Sequence, residues 1–109
     1  MQEVKAYIQE HMLDKVLDAL NAIPALPSVA IVHLREFGHG TDDTRLRMAK
    51  MVKLEIDLPD ELVAPVVETI VENARTGEGH PGDGKVFVCE LREAIRIADG
   101  QRGDAAVQR

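Results

Sequence analysis

The chain has 109 residues, 45% of them hydrophobic and 29% charged, which suits one packed domain and is too short for two. Thirteen basic against nineteen acidic residues leave a formal net charge of −6. That balance argues against a protein that tracks a phosphate backbone, and so against a nucleic-acid partner. Aromatic residues make up 3%, with no Trp, so a base-stacking platform is not expected. No apolar run approaches the roughly 20 residues that span a bilayer. The opening Met1-Gln2-Glu3-Val4-Lys5 has neither the basic start nor the apolar core of a secretory peptide. The one cysteine, Cys89, has no internal partner for a disulfide and fits a reducing, cytoplasmic compartment. A domain this small exposes much of its surface, which favours support from a partner subunit.

In chain order, Val4-Lys5-Ala6-Tyr7-Ile8 alternates in polarity and reads as a strand. Met12, Leu13, Val16, Leu17 and Leu20 recur at helical spacing and form an amphipathic stripe. Pro24 and Pro27 end that helix. Val29 to Leu34 is β-prone and reads as the second strand. Gly38 to Thr44 reads as a loop by composition, and Arg45 to Lys50 is ambiguous between loop and ragged strand. Met51 to Ile56 alternates apolar and charged residues, as a half-exposed third strand does.

Asp57, Pro59 and Asp60 signal a helix start. Two helical rows follow, Leu62-Val66-Ile70-Ala74 and Val63-Val67-Val71, with Pro65 near the tolerant first turn. Thr76 to Gly84 is a glycine-rich loop, and Lys85 to Glu90 is the fourth strand. Leu91 to Ala94 reads as a turn or short helix before a last short strand at Ile95 to Ile97. Asp99 to Arg109 has the composition of a mobile end. The order βαβ–βαβ predicts an α+β fold, a ferredoxin-like βαββαβ sandwich with both helices on one face of an antiparallel sheet. The domain is placed at 1–103, with 104–109 as a mobile tail.

The chemistry concentrates in Gly77-Glu78-Gly79-His80-Pro81-Gly82-Asp83-Gly84-Lys85. Glycines let backbone N–H groups approach an anion, and a lysine adds a point charge for phosphate. The spacing is not that of a Walker loop, and a flexible turn of the same composition is the competing reading. Arg75, Arg96 and Arg102 bear on an anion only if the fold brings them to the loop. His11, His33, His39 and His80 lack the close spacing of a zinc site, and Cys89 lies apart from all four. His39 and His80, both in loops, are the weak candidates for a metal. Glu55 and Asp57 share one strand face and read as a charged solvent edge. No nucleophile or paired-carboxylate motif stands out, so no catalytic residue and no enzyme is expected.

The most specific residues are Ala74-Arg75-Thr76-Gly77, then Gly82-Asp83-Gly84-Lys85-Val86-Phe87-Val88. Glu36-Phe37-Gly38, Val52-Lys53-Leu54-Glu55, Asp60-Glu61-Leu62-Val63, Ala94-Ile95-Arg96-Ile97 and Gly100-Gln101-Arg102-Gly103 follow the same scheme. From Val4 to about Gly103 the chain resembles the PII signal-transduction proteins, with the Gly-Asp-Gly-Lys stretch matching the family's nucleotide-binding B-loop. The resemblance implies a homotrimer with adenine nucleotides in the clefts between subunits, Mg²⁺ as an allowed companion, and no prosthetic group. It implies that Gly82, Asp83, Gly84 and Lys85 cradle the phosphates and that Arg96 adds a phosphate contact. Gly38 would supply backbone near the nucleotide, and Tyr7 and Val29 would lie near the base. The implied function is regulatory: nucleotide binding orders the Gly38 to Lys50 segment, the family's T-loop, which docks on a target transporter or enzyme.

Four departures set this chain apart within that resemblance. The T-loop is several residues shorter than usual. Tyr7 is the only tyrosine, so the uridylylated T-loop tyrosine of some members has no counterpart. The family's glutamine after Gly38 is matched by Gly40, with His39 before it, which argues against coupled Mg-ATP and 2-oxoglutarate sensing. Ala98 replaces the second C-loop arginine, which favours ADP or AMP over ATP, and the B-loop is lengthened across Glu78 to Pro81. The alternative from another class is a divalent-metal-binding, metal-tolerance-linked trimer using His39 and His80. A third is a structural subunit whose cleft binds nothing.

Overall fold

The computed structural model describes residues 1–39 and 46–108, with His39 described in its backbone alone. Strand β1, Gln2–Gln9, places Val4, Ala6 and Ile8 on one face and Glu3, Lys5 and Tyr7 on the other. A single 3₁₀ turn, Glu10–Met12, leads into α1, Leu13–Asn21. Strands β2, Ala30–His39, and β3, Leu46–Leu58, pair as a long antiparallel ribbon. Helix α2, Asp60–Ala74, a 3₁₀ turn at Pro81–Asp83 and strand β4, Gly84–Glu90, follow. The sheet order is β2-β3-β1-β4 with every neighbour antiparallel. This is the expected α+β, ferredoxin-like arrangement.

Registry fixes which face is buried. Val4, Ala6 and Ile8 lie opposite Ile56, Leu54 and Val52, and all six are buried beneath the helices. Helix α1 contributes Val16 and Leu20, and α2 contributes Val66, Ile70 and Ala74 to the same cluster. Each fully buried aliphatic side chain stabilises the fold by about 1.5–3 kcal/mol relative to exposure. The first α2 row thus forms the core contact, with Leu62 packed at its margin. The second row lies on the flank, where Val63 and Val67 are half-buried and Val71 is 39% exposed.

Several sequence expectations shift. Pro65 lies in the second turn of α2, not the first; its missing N–H leaves the carbonyl of exposed Glu61 to solvent. Gly38 and His39, expected in a loop, belong to β2, and the ambiguous stretch resolves to strand from Leu46 onward. Cross-strand pairing, Gly38 with Arg47 and His39 with Leu46, overrides loop-like composition there. The remainder of that expected loop, 40–45, lies outside the described residues. Ile95 makes only an isolated bridge to Arg102, rather than the expected last strand. Beyond it, Asp104–Val107 forms a helical turn, α3, which contacts β3 and leaves Val107 7% exposed. Among the described residues no helix is long and apolar enough to cross a membrane.

Candidate anion-binding site

The loop between α2 and β4 is held in shape by its own side chains. Asp83 accepts from the Thr76 amide at 3.0 Å, the Thr76 hydroxyl at 2.5 Å and the His80 amide at 2.9 Å. Desolvation pushes the Asp83 carboxyl up, but these hydrogen bonds outweigh it and hold the group below its ordinary value. With the carboxylate ionised, the Thr76 hydroxyl must donate to it. His80 Nδ1, 2.9 Å from that hydroxyl oxygen and 3.1 Å from the Thr76 carbonyl, therefore carries the proton and donates. Gln9 Nε2 completes the brace by donating to the Gly82 carbonyl at 2.9 Å, which ties the loop to the end of β1.

At the loop's exit the chain permits only glycine. Gly84 has φ +115°, and a Cβ built there would lie 1.7 Å from the Tyr7 carbonyl oxygen. The absent side chain lets β4 start directly against β1, with Gly84 opposite Ile8 and Lys85 opposite Tyr7. Lys85 is thereby fixed on the open face of the sheet, beside the aromatic pair Tyr7 and Phe87, which meet edge-on at 6.1 Å and 88°.

A cavity of about 700 Å³ lies between this loop and the β2–β3 ribbon. Gly38, Arg47 and Met48 line it from the ribbon, Gly82, Gly84 and Lys85 from the loop and β4, and Tyr7 from β1. The charged residues of its lining are Lys85, Arg47 and Glu36, and the Lys85 ammonium, with the backbone of Gly82 and Gly84, offers an anion its contacts. The cavity's size suits a small organic molecule. Tyr7, Met51 and Phe87 add apolar wall for a non-ionic part.

Of the sequence-predicted residues, Gly38, Gly82, Gly84, Lys85 and Tyr7 converge here. Asp83 is not in that lining, and its carboxylate is bonded within the loop. Val29 and Arg96 are absent from the cavity lining, and Val29 packs against the core. Arg96 sits in the turn after β4, where its guanidinium donates to the Ala105 carbonyl and lies 3.6 Å from Asp99. Arg102 pairs with Glu93, and the Arg75 side chain runs beside Gly79. His80 is committed to the brace, and the His39 side chain lies outside the described residues. No group of three or more His, Cys, Asp or Glu that could hold a metal occurs among the described residues.

Sequence reasoning missed Arg47, Met48 and Phe87 as lining residues. Reading the β3 alternation backward from Met51 through Ala49 to Arg47 would have placed that arginine on the open face with Gly38. The same face carries a charged ladder farther along. Lys53 and Glu55 pair at 2.9 Å, their hydrogen bond raising the lysine and lowering the carboxyl. Asp57, directly opposite Glu3, is pushed up to about 6 by desolvation first, then by Glu3 and Glu55. The solvent edge read from period two therefore ends in two facing carboxylates, Glu3 and Asp57.

Comparison with known proteins adds an independent line. The family model described as Nitrogen regulatory protein P-II matches residues 1–101. Proteins of that name from Haemophilus influenzae and Rhodobacter capsulatus are each 37% identical over 115 aligned positions, covering 98% of this chain and 100% of theirs. Nitrogen regulatory protein P-II 1 of Escherichia coli is 35% identical over the same coverage. The crystal structure of Arabidopsis thaliana PII bound to citrate superposes with a TM-score of 0.80 at 32% identity, covering 99% of this chain and 90% of that one.

Proposed function

This chain belongs to the nitrogen regulatory protein P-II family, a family of signalling proteins rather than enzymes, and on that premise we propose that it senses adenine nucleotides. The phosphates occupy the cavity at Gly82, Gly84 and Lys85, facing Gly38 and Arg47, and Tyr7 lies toward the base. The carrying observation is the convergence of those residues, from all four strands and the loop before β4, on one chamber that Lys85 lines. That the Arabidopsis relative was solved bound to citrate, itself a polyanion, agrees with an anion site on this fold.

Arg96 and Val29 lie outside the chamber of their own protomer, so in this reading a second copy supplies them. The assembly is a homotrimer with the nucleotide in each cleft between subunits. Tyr7 and Val29 then approach the base from two chains, and Arg96 reaches the phosphates across the interface. Asp83 acts one step back, by holding the loop open-handed before ligand arrives. Gly38–His39 and Leu46 onward are already paired strand, so the nucleotide meets a formed β2–β3 ribbon, and this ribbon docks on a target protein, a transporter or enzyme. With Ala98 at the second C-loop position, the γ-phosphate has one cation fewer, which favours ADP and AMP.

The test is calorimetric titration with ATP, ADP and AMP, with and without Mg²⁺, on the parent, Lys85→Ala and Arg96→Ala proteins. Loss of a charge-assisted phosphate contact costs about 1.5–3 kcal/mol, so each variant should bind at least about tenfold more weakly. Affinity unchanged in both variants would refute the assignment.

A further inference from the structure

The two residues that the proposed cleft takes from a second copy border one cavity of their own protomer. Ser28, the neighbour of Val29, and Ile95, the neighbour of Arg96, both line a space of about 760 Å³. It lies at the end of the sheet away from the B-loop, with Asn21 and Leu26 on its α1 side. Its volume is that of a small-ligand site.

Asp57 and Glu93 are the charged residues of that lining. Glu93 is paired with Arg102. Asp57 faces acids: Glu3 stands directly opposite on β1, and Glu55 lies on the same face of β3. The lysines of that face are taken, Lys5 by Glu3 at 3.5 Å and Lys53 by Glu55 at 2.9 Å. Beyond Glu3, β4 presents Cys89. From the helices, α1 and α3 bring uncharged Asn21, Ala106 and Val107, while Asp104 faces the Met1 amino group. Desolvation first, then the hydrogen bond and charge of Glu3 and the charge of Glu55, push the Asp57 carboxyl up to about 6.

A protonated carboxyl donates one hydrogen bond and accepts another, whereas a carboxylate only accepts. On its Watson–Crick edge adenine sets an acceptor, N1, beside a donor, N6–H. Guanine sets two donors side by side, N1–H and N2–H. We propose that Asp57 reads the base, donating to N1 and accepting from N6–H of adenine, so that the nucleotide is taken up together with a proton. This rests on the reading that a second copy's Val29 and Arg96 complete the cleft, since that reading brings the base to this cavity. The base edge replaces Glu3 as the partner of the Asp57 carboxyl, and the proton comes from solvent and returns to it on release. Ionised Asp57 matches guanine, so the two purines respond to pH in opposite senses. The sensor thereby reports adenine nucleotide and acidity jointly.

The experiment is calorimetric titration of the parent and Asp57→Asn proteins with ADP and with GDP, at about pH 5.5 and about pH 8. The two nucleotides carry the same diphosphate, whose own titration cancels in the ratio of their affinities. A ligand bound with a proton loses about tenfold in affinity per pH unit above the free group's value. The parental ratio of ADP to GDP affinity should therefore fall at least about tenfold between the two conditions. The Asp57→Asn amide donates and accepts at either pH, so that variant should keep the ADP-favouring ratio at both. Parallel titrations in phosphate and Tris, which differ in heat of ionisation, should show the parent taking up a proton with ADP and the variant none. A parental ratio that does not move with pH, or an Asp57→Asn protein that keeps the parental dependence, overturns the proposal. ADP binding that weakens in Lys85→Ala while the parental ratio stays flat leaves the cleft standing and refutes only the role of Asp57. A parent with no affinity for either nucleotide refutes both.

Discussion

Gly84 and Asp83 hold the B-loop in shape, and Asp57 on the open face of the sheet sets a separate pH dependence. Gly84 has no room for a methyl group, so Gly84→Ala must part β4 from β1 and should cost at least about 2 kcal/mol in urea unfolding. Asp83 titrates in the opposite sense from Asp57, and the two make distinct pH predictions. The folded Asp83 carboxyl lies below its ordinary value, so its contribution is present above about pH 4 and fades as pH falls through the folded value. Asp83→Asn should therefore be less stable than the parent at pH 7, with the gap narrowing on acidification. Asp57 is raised to about 6, so the folded state holds its proton more tightly, and stability declines between about pH 4 and 6 as pH rises. Asp57→Asn should be the more stable protein at pH 7 and should lose that advantage below about pH 4. Solvent screening at this exposed position keeps the gain below about 1 kcal/mol. Urea midpoints at several pH values check both; an Asp57→Asn protein less stable than the parent at pH 7 would contradict the facing-carboxylate reading.

At the scale of elements, local periodicity explains why some of the fold was legible and some was not. The β1 alternation and the Val66-Ile70-Ala74 row carry their own burial signal, and the structure buries those residues. The outer half of the β2–β3 ribbon carries no such signal. Phe37, Leu46 and Met48 are 66%, 52% and 58% exposed, so their strand state comes from cross-strand pairing, Phe37 with Met48 and Leu46 with His39, rather than from a buried face. Helix α3 was hidden for a related reason: its one core contact, Val107, lies in a stretch whose Gly, Asp and Ala content resembles an unstructured end. Val107→Asp would place a charge at a site only 7% exposed and should lower unfolding free energy by about 2 kcal/mol. An unchanged denaturation midpoint would show that α3 adds nothing to the domain.

For the whole molecule, the sequence disclosed the components of the site better than their distribution. Gly82, Gly84 and Lys85 were recognisable because the Gly-Asp-Gly-Lys stretch matches the family's B-loop; by composition alone a flexible turn reads the same way. Their meeting with Gly38 and Arg47 depends on β3 lying between β2 and β1, a sheet order that no local pattern records. That Arg96 stays outside its own protomer's cavity is likewise a property of the tertiary fold. Ala98→Arg should restore a second cation at the cleft and shift preference toward ATP by about tenfold, read as the ratio of ATP to ADP affinities. The central claim, a nucleotide held at the B-loop and completed by a neighbouring Arg96, is tested most directly by titrating ADP into equal mixtures of Lys85→Ala and Arg96→Ala protomers after subunit exchange. Complementation across the interface predicts that mixed trimers regain parental-affinity sites that neither variant has alone. Mixed trimers with no tight site would contradict it.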